Sequence, residues 1–117
     1  MVQVRKKANK RVLWPYCATA STHFRKMKGI MFKKAFEPLL FDFDEEGTRR
    51  NAIHSFFCPQ FDAVFLDSSK KIVDVIPQIK PWNPFIVPAK PARYLIETPA
   101  GDAKRVRVKI GMQLEWK

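Results

Sequence analysis

Prolines divide this chain into segments that are short for helices. Nine prolines occur among 117 residues, and five of them lie between residues 77 and 91. Because proline lacks a backbone N–H and has a fixed φ, it ends helices and is excluded from central strands. The 77–91 stretch is therefore predicted to be a long loop, attached to the body by apolar side chains such as Trp82 and Ile86. The apolar runs elsewhere have the length of strands, so the chain is expected to be mainly β.

Alternation of apolar side chains with a period of two predicts most of the strands. The strongest pattern runs from Ile53 to Leu66 and would place three phenylalanines, at 57, 61 and 65, on one face. Residues 67–70 predict a turn into a return strand over residues 71–76, and the two strands would form a hairpin. Further strands are expected over residues 12–20, 39–43, 92–97, 105–110 and 112–116, and a short helix over residues 23–28.

This pattern predicts a single small domain, mainly β, with the architecture of a β-sandwich or a partly open barrel and one short helix. A second core of useful size would not fit in a chain of 117 residues. Residues 1–11 carry five basic side chains and almost no large apolar ones. They are interpreted as a basic N-terminal arm, either flexible or the edge of a first strand, and residues 12–117 as the domain.

The sequence also bears on where the protein works. No apolar run approaches the roughly 20 residues that cross a bilayer, so no membrane contact is predicted. The first thirty residues are basic but contain no continuous apolar segment of the secretory type. A cytoplasmic location is therefore the default expectation, and Cys17 and Cys58 are expected to be reduced.

Charge is distributed unevenly along the chain. The net charge is +11, and residues 1–34 hold ten basic residues and no acidic one. Residues 35–75 carry a net negative charge, and residues 76–117 are basic again. A strong field of one sign attracts phosphate-rich partners, although basic surfaces also keep proteins soluble. Both interpretations remain open at this point.

Four stretches in order resemble the family called domain of unknown function 192. They are residues 22–32, residues 38–43, residues 53–57 with 61–67, and residues 80–82 with 92–101. The resemblance implies a small, mainly β fold of sandwich or barrel type and brings no established activity, cofactor or catalytic residue. In the third stretch Pro59 precedes Asp62 by three residues instead of the two usual in the family, which leaves the strand register there open.

A small-molecule or enzymatic site is one hypothesis. On a regular strand, His54, Cys58 and Asp62 would face away from the phenylalanines. An unpaired carboxylate inside an apolar run is costly, so Arg93 is predicted to pair with Asp62. A structural Asp–Arg pair is favoured over a ligand site between this strand face and the Trp82 loop. The candidate ligand-binding residues are His54, Asp62, Trp82 and Arg93.

The cysteines and histidines suggest two further kinds of chemistry. Cys17, His23, His54 and Cys58 are ligand types of tetrahedral zinc, but their spacing lacks the Cys-x-x-Cys pattern. No metal and no cofactor are predicted from them. A nucleophilic Cys58 assisted by His54 would need a lowered thiol pKa.

The leading hypothesis is a non-catalytic binding module that contacts a polyanion, such as nucleic acid, through a basic surface. Exposed aromatic rings could stack on bases, and the candidates are Trp14, Tyr16 and Trp82. Exposed Phe32, Phe36 and Phe85 would instead indicate a protein partner. The candidate polyanion-binding residues are Arg25, Lys26, Lys28, Lys33, Lys34, Arg105 and Arg107, with Lys109 and the basic residues of the N-terminus able to extend the patch.

Overall fold

The computed structural model describes residues 1–20 and 36–117. Seven strands form one sheet, and the described residues contain one short α-helix and one 3-10 turn, Arg49–Asn51. The helix, α1, spans Asp102–Arg105. The strands are β1 (Val2–Lys6), β2 (Val12–Ala20), β3 (Leu39–Gly47), β4 (Phe61–Leu66), β5 (Ile72–Ile79), β6 (Ala92–Pro99) and β7 (Leu114–Trp116).

The sheet is curled into a half-barrel. Its strand order is β5-β4-β6-β3-β2-β1-β7, and all neighbours are antiparallel except β2 and β3. The two edge strands, β5 and β7, lie close to each other. Lys71 forms a bridge with Gln113, and the Ile72 N–H donates to the Met112 carbonyl at 2.8 Å. Of the two predicted architectures, the partly open barrel is confirmed.

Two apolar clusters occupy the two faces of the curled sheet. The inner cluster joins strands from both ends of the strand order, with Val4 and Leu114 packed in the same group as Val64 and Ile96. α1 contributes to it through Ala103, which is buried. The outer cluster covers β3 to β6 and is overlaid by loop residues that include Cys58 and Ile86. Strand alternation separates the clusters, as consecutive β4 residues point to opposite faces.

Several predicted strands are confirmed. β4 and β5 form the predicted hairpin, and the Asp67 carboxylate closes its turn by accepting from the Ser69 and Lys71 N–H groups. β6 and β3 occupy their predicted segments, although β3 continues four residues beyond the predicted end, to Gly47. The predicted strand over residues 12–20 contains a bulge at Pro15, where the β1–β2 register shifts.

The long strand predicted from Ile53 to Leu66 is wrong in its first half. β4 begins only at Phe61, and Phe57 has a φ of 59° with its ring half exposed. Pro59 lies just before the strand, where a missing N–H does no harm to the sheet. The expected face of His54, Cys58 and Asp62 does not exist, because residues 54–60 are not extended.

The predictions for the two ends of the chain also need correction. Of the alternatives for residues 1–11, the structure has a strand, and β1 lies between β2 and β7 with Val4 buried. Residues 105–110 do not form a strand, since α1 and a run of turns replace it and Arg107 has a φ of 61°. The helix predicted over residues 23–28 lies outside the described residues, as does Phe32.

Candidate functional site

The ligand site predicted around Asp62 is not assembled. Asp62 is fully buried on the inner face, and its carboxylate accepts three backbone N–H groups. These come from Gln78 at 2.7 Å, Gly101 at 3.1 Å and Ala103 at 2.9 Å. Asp62 therefore ties the end of β5 and the start of α1 to β4. Arg93 is not its partner.

Arg93 pairs with Asp42 on the neighbouring strand. Its Nε lies 3.1 Å from Asp42 Oδ1, and its guanidinium carbon lies 5.3 Å from the centre of the Tyr94 ring. The hydrogen bond with Asp42 raises the pKa of Arg93. Asp42 stands opposite Tyr94, and the β3–β6 register is irregular from Asp42 onward. An Asp–Arg pair is thus present, but with a different aspartate.

The predicted cysteine chemistry finds no support in the geometry. Cys17 packs in the inner cluster and Cys58 in the outer one, so the sheet separates them, and both thiols are free. Burial raises the pKa of Cys17 to about 12 and that of Cys58 to about 11, the opposite of what a nucleophile needs. Among the described residues no group of metal-ligating side chains comes together, and His23 lies outside them.

Two basic segments meet at one end of the sheet, which we call the α1 end. Here β4 begins, β5 and β6 finish, and α1 packs against the sheet. Residues 6–11 form the β1–β2 turn, and residues 104–109 follow the first turn of α1. The guanidinium of Arg11 donates to the Val106 carbonyl at 2.8 Å and joins the segments. Together they carry eight basic residues and no carboxylate: Lys6, Lys7, Lys10, Arg11, Lys104, Arg105, Arg107 and Lys109.

Carboxylates neutralise only part of this charge. Glu115 binds Arg5 and Lys10, and the hydrogen bond from Lys10 lowers the pKa of Glu115. Asp102 lies 3.3 Å from Arg105 and also accepts from the Trp14 indole. Five further carboxylates lie on β3 and in the β4–β5 turn: Asp42, Asp44, Glu45, Glu46 and Asp67.

The loops before β4 and after β5 leave the same end on the outer face and carry an aromatic patch. Its members are His54, Phe56, Phe57, Trp82 and Phe85. Trp82 is 60% exposed and Phe85 is 56% exposed. The Phe57 and Trp82 rings meet edge to face with centroids 4.8 Å apart. His54 and Trp82 thus belong to one surface, which includes neither Asp62 nor Arg93.

A buried serine holds these two loops together. The Ser55 hydroxyl donates to the Lys80 carbonyl at 2.7 Å and accepts from the Asn83 N–H at 2.8 Å. The backbone of Ser55 adds bonds to Asn83 and Trp82. Nothing in the local sequence pattern singles out Ser55, whose partners lie 25 to 28 residues away.

A cavity of about 180 Å³ opens near the opposite end of the sheet. It is lined mainly by apolar groups, including Leu40, Tyr94 and Trp116, with Asp42 among its polar lining residues. Tyr94 and Trp116 meet edge to face at 5.0 Å, and the Lys70 ammonium lies 4.4 Å from the centre of the Trp116 ring. This cavity was not predicted, because its walls come from five strands that are distant in sequence.

The remaining predicted residues divide into three groups. Arg105 and Arg107 lie in the basic segments at the α1 end. Trp14 is 1% exposed and cannot stack on a base, whereas Tyr16 is 69% exposed. The other candidates for polyanion binding lie outside the described residues: Arg25, Lys26, Lys28, Lys33 and Lys34.

The fold and the surfaces define a small half-barrel β domain with a basic end. The model of the DUF192 family, described as an uncharacterized ACR, matches residues 3–116, and the chain belongs to that family. A UPF0127 protein of Pyrococcus furiosus is 38% identical over 99 residues, which are 83% of each chain.

Solved structures show the same fold. One is a protein of unknown function from Novosphingobium aromaticivorans, with a TM-score of 0.82, 20% identity, and coverage of 98% of this chain and 83% of that one. The other is a Sinorhizobium meliloti protein named as a candidate transcription regulator, with a TM-score of 0.81, 23% identity, and coverage of 98% and 91%. None of the helices within residues 1–20 and 36–117 has the length and apolar character needed to span a bilayer.

Proposed function

We propose that this protein is a binding module for a polyanion, in the first place nucleic acid, which it contacts at the α1 end. One observation carries the proposal. Two segments that are basic and free of carboxylates, residues 6–11 and 104–109, are joined by the Arg11–Val106 hydrogen bond at a single end of the sheet. The name of the Sinorhizobium meliloti neighbour adds nothing here, because a likeness at 23% identity concerns the fold alone.

The physical argument is the release of counterions. Each phosphate that a lysine or arginine neutralises frees a condensed cation, so affinity falls steeply as salt is raised. Lys104 and Arg107 are exposed and have no carboxylate partner among the described residues, which leaves them available to phosphates. If the charge served only solubility, its position on the molecule would not matter. The experiment therefore has to remove the same number of charges at different positions on the molecule.

We expect binding of labelled single-stranded RNA and duplex DNA to depend on the charges of the α1 end. The triple variant Lys104→Gln, Arg105→Gln and Arg107→Gln should bind at least about tenfold more weakly at low salt. The slope of log affinity against log salt should become shallower by about 1.4 for a single strand, from the lost contacts of Lys104 and Arg107 at about 0.7 each, since Arg105 is paired with Asp102. Fluorescence anisotropy at several salt concentrations measures both quantities.

A matched variant tests position at constant net charge. Arg49, Lys90 and Lys117 are exposed and lie outside the two basic segments. Replacing all three by Gln removes the same charge but should leave the slope almost unchanged. If the two triple variants lost affinity and salt dependence equally, only net charge would matter, and the proposed binding surface would be wrong.

The cavity favours a small ligand as a second candidate function. Its volume of about 180 Å³ and its apolar walls suit a neutral ligand of the size of one aromatic ring system. We expect indole to raise the thermal midpoint of the wild-type protein. The variant Thr19→Phe, which places a ring in the cavity wall, should abolish that shift. A wild-type midpoint that stays constant at millimolar indole would dismiss this candidate.

A further inference from the structure

Trp82 and Phe85 are exposed although large aromatic side chains gain most from burial. The outer cluster needs neither ring, since Ile86 of the same loop is buried while Trp82 and Phe85 stay more than half exposed. Exposed aromatic rings grouped on one surface are typical of a surface that binds something flat and apolar.

The backbone holds this patch in a costly conformation. Phe57 has a φ of 59° and Trp82 a φ of 69°, values that aromatic residues rarely adopt and that cost about 1–3 kcal/mol each. Ser55, whose side chain is fully buried, fixes both loops with four hydrogen bonds of 2.7–3.1 Å. The rings are therefore presented in fixed positions before any ligand arrives.

The charge around the patch identifies the sign of its ligand. The loops that carry it, residues 48–60 and 80–91, contain no acidic residue, and Lys80 lies two residues before Trp82, whereas Arg49, Arg50 and Lys90 lie at the far ends of the loops, near Gly47 and Ala92. The first loop joins β4 at the α1 end and the second loop leaves β5 there, so the residues around Phe57 and Trp82 lie at the end of the sheet against which α1 packs. A ligand at this end meets both cationic side chains and aromatic faces.

We infer that the nucleic acid bound at the α1 end is single-stranded, with unpaired bases stacked on Trp82 and Phe85 and phosphates held by the basic side chains. This inference rests on the proposed function and adds the class of nucleic acid. In a duplex the faces of the bases are covered by their neighbours, so only an unpaired base can offer its face to a ring. Such stacking tolerates any sequence, because every base has a π face.

The experiment compares labelled oligo-dT with a duplex DNA of similar charge. Trp82→Asn removes the ring and keeps a residue that tolerates a positive φ. We expect this variant to bind oligo-dT about tenfold more weakly, with duplex affinity and salt slope unchanged, because its charge is the same. Tyr16→Asn removes an equally exposed ring outside the patch and should change oligo-dT affinity less than twofold. Circular dichroism confirms that both variants fold.

Each other outcome separates the two proposals. If Trp82→Asn binds oligo-dT like the wild type while the triple Gln variant is weakened, stacking is wrong and polyanion binding stands. Equal wild-type affinity for the strand and the duplex also overturns the inference. If the wild type binds neither nucleic acid at low salt, both proposals fail.

Discussion

Replacing Asp62 by alanine is expected to destabilise the fold by about 3–5 kcal/mol, a large part of the stability of a small domain. The substitution leaves three backbone donors, of Gln78, Gly101 and Ala103, without their acceptor in or near the core. Asp62→Asn should cost less, about 2–3 kcal/mol. An amide oxygen can keep the two bonds of one carboxylate oxygen, while its NH2 group must face the third donor.

Urea denaturation followed by circular dichroism measures both variants. The matched control is Asp74→Asn, since Asp74 accepts a single N–H, from the exposed Ala89, at 2.9 Å. The free energy of unfolding of the control variant should fall by less than about 1 kcal/mol. Native-like stability of Asp62→Asn would show that the three bonds are dispensable. It would also revive the sequence-based hypothesis that Asp62 serves a ligand.

The second large effect concerns Glu97, whose burial raises its pKa to about 8 from an ordinary value of 4.5. Its side chain lies on the outer face between Leu39 and Ala63 of the neighbouring strands, and the residue is 6% exposed. In the described part of the chain no side chain donates a hydrogen bond to it. The acid form is therefore the one that folding favours.

The sign of the pH dependence follows from proton uptake. Between pH 4.5 and 8 the folded protein keeps the Glu97 proton while the unfolded chain releases it, so stability falls as pH rises. The loss across this window is on the order of 4 kcal/mol. Cys58, the other titratable group facing Glu97, stays neutral there because its own pKa is about 11.

Glu97→Gln is expected to remove most of this dependence and to be more stable than the wild type at pH 8. Urea midpoints at pH 5, 6.5 and 8 measure the effect for both proteins. The control Glu37→Gln changes an exposed carboxylate and should keep the wild-type slope. A wild-type protein equally stable at pH 5 and pH 8 would contradict the burial argument.

These two residues show where sequence reasoning reached its limit. An aspartate inside an apolar run correctly indicated a buried carboxylate that needs partners. The partners are backbone groups 16, 39 and 41 residues away, on β5, before α1 and in α1. No local pattern specifies such groups, since every residue except proline has an N–H.

The aromatic patch was missed for a related reason. A period-two pattern assumes an extended backbone, and the sequence spacing of Phe57, Phe61 and Phe65 fits that pattern. The segment before Phe61 is not extended, because Ser55 binds the loop after β5 and Phe57 turns into the left-handed region. A hydrogen bond between distant loops overrides the local preference.

The sequence by itself determined the mainly β class, the β4–β5 hairpin, the segments of β3 and β6, and the separation of basic from acidic stretches. These features depend on alternation, turn residues and charge, which act between near neighbours in the chain. Only the tertiary structure decided that Asp42 pairs with Arg93, that β1 lies inside the sheet, and that the basic segments meet at one end. The physical reason is that strand order and register are set by packing and hydrogen bonds between distant segments, which local patterns do not encode.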